Sequence, residues 1–198
     1  MGRRSDHSRE ELTALALKAA REIVEEDGLR GLTARLLANK IGYAPGTLYN
    51  LFDGLDGLVG VLNAETLNNL MEFVSDVSLE GEPDEVLRAL ARRYQEFIDK
   101  HPNLWSALFD PAAPHGKALP QTYWERLYAV LGVVEEALAP LFAPGQEDQR
   151  LHAARTLWAA LHGYCSLQSA GIMAEGESVE RMTDTLIDNF VGGLRDRI

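Results

Sequence analysis

His162 and Cys165 stand three residues apart, which on a helix puts an imidazole and a thiol on one face. Such a pair could begin a metal site, but zinc asks for three or four ligands, and no third stands nearby in the sequence. The other histidines, His7, His101, His115 and His152, are scattered along the chain. His162 therefore reads as a core histidine with a hydrogen-bond partner. Glu22, Glu25 and Glu26, and the pair Glu135 and Glu136, read as solvated helix faces. No phosphate loop, nucleophile elbow or His-Glu-x-x-His is present. These residues imply no enzyme, no metal and no cofactor.

A different kind of chemistry gathers between Gly28 and Leu58, in GLRGLTARLLANKIGYAPGTLYNLFDGLDGL. Arg35 and Asn50 carry side chains that match guanine and adenine edges. Thr33, Thr47 and Tyr49 carry hydroxyls that can meet a phosphate. Thr33 is also a fair N-cap for a short helix over about 34–41. Gly42 suits the left-handed residue of a tight turn, and Pro45 suits the first position of a second short helix that runs to about Phe52. Two short helices so joined make a helix-turn-helix. Leu36, Leu37, Ala38, Ile41, Leu48 and Phe52 are expected to pack them on a preceding helix, with Ala38 and Gly46 small enough for close approach.

That preceding helix begins at a capping box, Ser8 to Glu11, and ends at Gly28. Beyond the helix-turn-helix the apolar residues recur at three and four, without strand-like alternation. Helices are expected over about 56–75, 84–100, a short stretch after Pro102, 121–138, 147–170 and 178–195. Val179, Met182, Leu186, Phe190 and Leu194 form the stripe of the last. Leu151, Ala154, Trp158, Leu161 and Cys165 form that of the one before. The fold class is all-α.

The stretch from residue 8 to 60 resembles the DNA-binding domain of the TetR family of transcription regulators. The resemblance rests on Leu-Thr-x-Arg-x-Leu-Ala over Leu32–Ala38, then Ile41-Gly42, Gly46-Thr47-Leu48-Tyr49, Phe52 and Leu58. The run Trp158-Ala-Ala-Leu-His162-Gly163 resembles a Trp-His-Gly signature of one group of the family's C-terminal domains. The resemblance implies a three-helix DNA-binding domain over 1–56, with the helix-turn-helix at about 33–52. It implies a helical effector-binding and dimerisation domain over 57–198. Thr33, Thr47 and Tyr49 would contact the DNA backbone. The recognition helix would enter the major groove by the end that offers Ala44, Pro45, Gly46 and Thr47, with free backbone N–H groups.

The implied partners are double-stranded operator DNA of palindromic form, a second copy joined through the last two helices, and a small-molecule effector. The implied action is repression. Trp105, Phe109, Tyr123, Trp124, Tyr128, Trp158 and His162 are the candidate lining of an effector pocket. Two departures from the family pattern stand out. Ala44 replaces the usual Ser, and Leu55 stands where a phosphate-binding Lys is common. An alternative is a TetR-like helical protein that has lost operator binding and acts through a protein partner.

Charge bears on both readings. The chain carries a formal net charge of -11, yet residues 1–50 hold eight Lys/Arg against seven Asp/Glu. A local basic face can still bind DNA, with affinity that falls as salt rises. Arg3, Arg4 and Arg9 are expected to add a basic arm. A single cysteine precludes an intrachain disulfide, which fits a cytoplasmic location. No apolar run reaches the ~18 residues of a membrane span.

Overall fold

A computed structural model of the chain describes residues 7–110, 113 and 119–196. Arg3, Arg4 and His115 lie outside the described residues. The described residues form helices and no strand: α1 Arg9–Asp27, α2 Ala34–Ile41, α3 Gly46–Phe52, α4 Leu55–Ser75, α5 Pro83–Lys100, α6 Pro102–Ala107, α7 Gln121–Leu138, α8 Glu147–Ser169 and α9 Val179–Arg195. Short 3-10 turns at Leu29–Gly31 and Ala139–Leu141 connect some of them. The chain divides into two compact units. The first comprises residues 1–68 and 101–126, the second 69–100 and 127–198. The segment 101–126 thus belongs to the unit that carries the helix-turn-helix.

In the first unit, α1 starts where its cap predicts. The Glu11 N–H donates to Ser8 Oγ, and the Ser8 N–H donates to the Glu11 carboxylate at 2.7 Å. These bonds satisfy two donors that an open helix end would leave bare. They also hold the Glu11 carboxyl below the usual carboxylate range. Leu12, Ala16, Ala20, Ile23 and Val24 of α1 are buried against Leu37 and Ile41 of α2, Leu48 and Phe52 of α3, Leu58 and Leu62 of α4, and Leu104 of α6. Burying a Leu or Ile this fully contributes about 1.5–3 kcal/mol per side chain. The alanines of α1 let its neighbours approach closely.

In the second unit, α9 packs on α5 and α8. Its most buried row is Val179, Thr183, Ile187 and Val191. Met182, Leu186, Phe190 and Leu194, of the apolar stripe traced along this helix in the sequence, are half-buried in the protomer. The two rows lie side by side on one helix, and α5 and α8 select the row that contains Thr183. Arg88 on α5 bridges to α9 through Asp184 at 3.2 Å and through Asp188, and also holds Asp84 at 3.1 Å. The guanidinium keeps the Asp84 carboxyl below its usual range.

Candidate nucleic-acid interface

Two caps and a turn set the direction of α2 and α3. The Leu36 N–H donates to Thr33 Oγ1 at 3.1 Å, and Thr33 itself is extended. Gly42 closes α2 in the left-handed region at φ 78, and the Tyr43 N–H returns to the Ala38 carbonyl at 2.9 Å. That φ costs glycine nothing and a residue with a Cβ about 1 kcal/mol. Pro45 comes one residue earlier in the helix than expected. It precedes Gly46, the first residue of α3, and already has helical torsions, φ -55 and ψ -32.

Three expectations for this segment change. Leu36 is 43% exposed, so it is not part of the core that Leu37, Ala38 and Ile41 form. α2 is short, and Leu36 falls on the face turned from α1. A Cβ on Gly46 would meet nothing within 4 Å, so close helix packing does not explain the glycine. The N–H groups of Thr47 and Leu48 are already bonded to the carbonyls of Ala44 and Pro45. The start of α3 thus offers fewer free donors than an open helix end.

The other end of α3 is held by contacts that do not show in the motif. Asp53 sits at φ 60 and is the only non-glycine with positive φ among the described residues. Gly54 follows at φ 97, with the Tyr49 ring against it: a Cβ there would lie 3.3 Å from Tyr49 Cε1. Gly57 of α4 is closer still, since a Cβ would fall 1.6 Å from the Phe52 carbonyl oxygen. No side chain fits there, so α4 and the end of α3 must meet backbone to backbone. The residue pattern Asp-Gly followed by a second Gly three positions on was the available signal. Arg9 of α1 adds a brace, donating to the Asn50 carbonyl at 3.1 Å. It is therefore not a loose member of a basic arm.

The predicted contact residues fall on one short stretch of the first unit. Thr33, Arg35, Pro45, Gly46, Tyr49 and Asn50 are exposed, and Thr47 is half-buried. Tyr49 is 66% exposed, high for a tyrosine whose ring could have joined the adjacent core. Nearby cations are partly committed. Lys40 pairs with Glu22 at 3.0 Å and lowers that carboxyl's pKa, and Arg21 pairs with Glu65 at 2.8 Å. Arg35 and Arg30 are exposed and enter none of these pairs.

Residues 87–190, more than half of the chain, match the family described as tetracyclin repressor-like, C-terminal domain. Residues 16–62 match the family described as bacterial regulatory proteins, tetR family. The chain belongs to the TetR family. It is a TetR-family transcriptional regulator with a helix-turn-helix, and α2 and α3 lie inside the matched N-terminal segment. It is similar to the HTH-type transcriptional regulator YobS of Bacillus subtilis, at 25% identity over 183 residues, covering 91% of each chain. It is also similar to the HTH-type regulator Rv0681 of Mycobacterium tuberculosis, at 25% identity over 172 residues, covering 86% of this chain and 76% of that one. Among solved structures, the TetR-family repressor FadR of Thermus thermophilus in complex with lauroyl-CoA shares the fold. The TM-score is 0.65 at 20% identity, covering 91% of this chain and 94% of that one.

The seven aromatics singled out for an effector pocket are divided between the TetR units. Trp105, Phe109, Tyr123 and Trp124 lie in the first, Tyr128, Trp158 and His162 in the second. Trp105 and Phe109 meet edge to face, as do Tyr123 and Trp124. Tyr128 is 54% exposed, with the Arg155 guanidinium over its ring. The second unit contains a cavity of ≈ 50 Å³ among the end of α4 and α5, α7, α8 and α9, and of the seven only Trp158 lines it. His162 stacks on Trp158, and its two ring nitrogens lie within hydrogen-bond reach of Tyr94 Oη at 3.2 Å and Ser166 Oγ at 3.3 Å. Burial lowers the His162 pKa. Burial also pushes the Cys165 thiol up to about 12, far from a thiolate that could bind metal or attack. The described residues contain no cluster of three His, Cys, Asp or Glu able to hold a metal. No described helix is long and apolar enough to cross a membrane.

Proposed function

We propose that this protein is a ligand-responsive repressor that binds a palindromic operator as a homodimer. The observation that carries the reading is the exposure of Thr33, Arg35, Tyr49 and Asn50 on a helix-turn-helix whose ends are held by caps and glycines. Rigid presentation matters because base readout needs side chains placed to within hydrogen-bond geometry. In this reading α3 lies in the major groove. Thr33, Thr47 and Tyr49 meet phosphates, and Pro45 and Gly46 leave room for the DNA backbone. Arg35 and Asn50 read bases. The operative boundary falls near residue 56, with DNA binding before it and effector binding and dimerisation after it.

The half-buried row Met182, Leu186, Phe190 and Leu194 supports a two-fold interface through α8 and α9. On α8, Leu167 is exposed as well. Covering such a face with its own copy removes apolar area from water and presents two recognition helices one helical turn, or a multiple of it, apart. The effector reading draws on the apolar cavity of the second unit and on the lauroyl-CoA complex of the FadR neighbour. An effector lowers operator affinity only in so far as it prefers the state that does not bind DNA.

The test is to select fragments of the source genome with purified protein and to footprint the enriched site. Two protected patches of dyad symmetry, spaced by whole helical turns, are expected. A single unsymmetric patch would sink the dimeric operator reading. One observation favours a second reading. Asp53 and Asp56, both exposed, follow α3, and Leu55 adds no cation there. If no fragment is enriched even at low salt, a protein partner replaces DNA.

A further inference from the structure

From the cavity of the second unit we infer a ligand of definite chemistry: a slim, uncharged aliphatic group carrying one hydrogen-bonding oxygen, which Thr183 engages. The inference rests on reading that unit as the effector-binding part, and it deepens that reading.

Thr183 lies on the most buried row of α9 at 5% exposure and lines the cavity. Its Oγ1 is buried and has no hydrogen-bond partner among the described residues. Helical threonines ordinarily satisfy this hydroxyl by donating to the carbonyl four residues earlier. Thr13, Thr66, Thr156 and Thr185 of this chain all do so. Thr183 does not. Leaving a buried hydroxyl unpaired is costly, and such a group in a cavity wall needs a partner brought by whatever fills the cavity.

The rest of the lining limits what that is. Val74, Leu87, Val130, Leu157 and Ile187 are typical of it, and no Lys, Arg, His, Asp or Glu lines it. A charged end would be stranded there, so an uncharged part of the ligand enters. Tyr94, also in the wall, lies with its hydroxyl against His162. At ≈ 50 Å³ the space is about a third of the ~150 Å³ that receives a benzene ring. It therefore admits an aliphatic end of about two or three carbons and no aromatic or fused ring. A hydroxyl can donate or accept, so an alcohol, ketone or ester oxygen would serve.

The test uses the full chain and two small probes of similar length, 1-propanol and 1-chloropropane, titrated against wild type and Thr183→Val. Trp158, in the cavity wall, supplies a fluorescence readout, and calorimetry confirms it. Thr183→Val is expected to weaken 1-propanol about tenfold and to leave 1-chloropropane unchanged or tighter. The variant should melt at or above the wild-type temperature, which separates lost binding from lost folding. Equal affinity of each probe for both proteins would overturn the role of Thr183 while leaving the cavity as a binding site. If neither probe binds wild type that still binds its DNA, both the inference and the effector reading of this cavity fail. If 1-propanol binds through Thr183 but does not release DNA, the inference stands and the ligand-responsive reading fails.

Discussion

Removing one oxygen from Tyr49 separates its contact with DNA from everything else the residue does. The ring is 66% exposed and lies against Gly54, a seat that Tyr49→Phe keeps. A hydrogen bond to a charged group contributes roughly 1.5–3 kcal/mol, and an exposed one falls at the lower end because water competes. A dimer on a palindrome makes the contact twice, for a loss of about 3 kcal/mol, or roughly 150-fold in affinity. Tyrosine is neutral, so no counterion is released on its account and the salt slope should stay as in wild type. The melting temperature should move by no more than about 1–2 °C, as for other exposed substitutions. Fluorescence anisotropy with the selected operator, across a salt series, reads both affinity and slope. Affinity within twofold of wild type would refute the phosphate contact. A large loss accompanied by a lower melting temperature would show that Tyr49 acts through the fold instead.

Three further outcomes follow from the geometry. Gly57→Ala places a Cβ on the Phe52 carbonyl and should cost about 2–4 kcal/mol, read as a fall in melting temperature of roughly 5–15 °C and loss of DNA binding together. Cys165, buried and with its thiol at about 12, should resist alkylation at pH 8 in the folded protein and react fully in denaturant, as mass spectrometry can show. His162 titrates lower in the fold than in the unfolded chain, so the unfolded chain gains the proton first on acidification. Its contribution to stability is therefore present above about pH 6.5 and lost as pH falls through the lower, folded value. Urea midpoints between pH 7.5 and 5.5 should decline in wild type and decline less in His162→Gln.

Much of this architecture is legible in the chain because local chemistry dictates it. Ser8 and Thr33 cap α1 and α2 as their side chains predict, and Gly28 and Gly42 end them. The helix-turn-helix is readable because its caps, turn glycine and apolar spacing are all encoded within twenty residues. What is not legible depends on contacts between distant segments. Leu36 looks as apolar as Leu37, and only the packing direction of α2 leaves it outside. Gly57 reads as one more residue in an acidic stretch until α4 meets the Phe52 carbonyl. In α9 the stripe traced in the sequence passes over Thr183 because a threonine counts against burial. The structure buries that threonine. The grouping of residues 101–126 with the helix-turn-helix unit has no local signal at all.

The central claim is that the exposed face of α2 and α3 reads duplex DNA. Its most direct test is to compare binding of the selected operator and of a scrambled duplex of equal length, for wild type and Tyr49→Ala, from low to high salt. The account predicts a steep salt slope on both duplexes, a large preference for the operator in wild type, and a uniform loss of affinity in the variant. Equal binding of the two duplexes by wild type, or binding that Tyr49→Ala leaves intact, would contradict it.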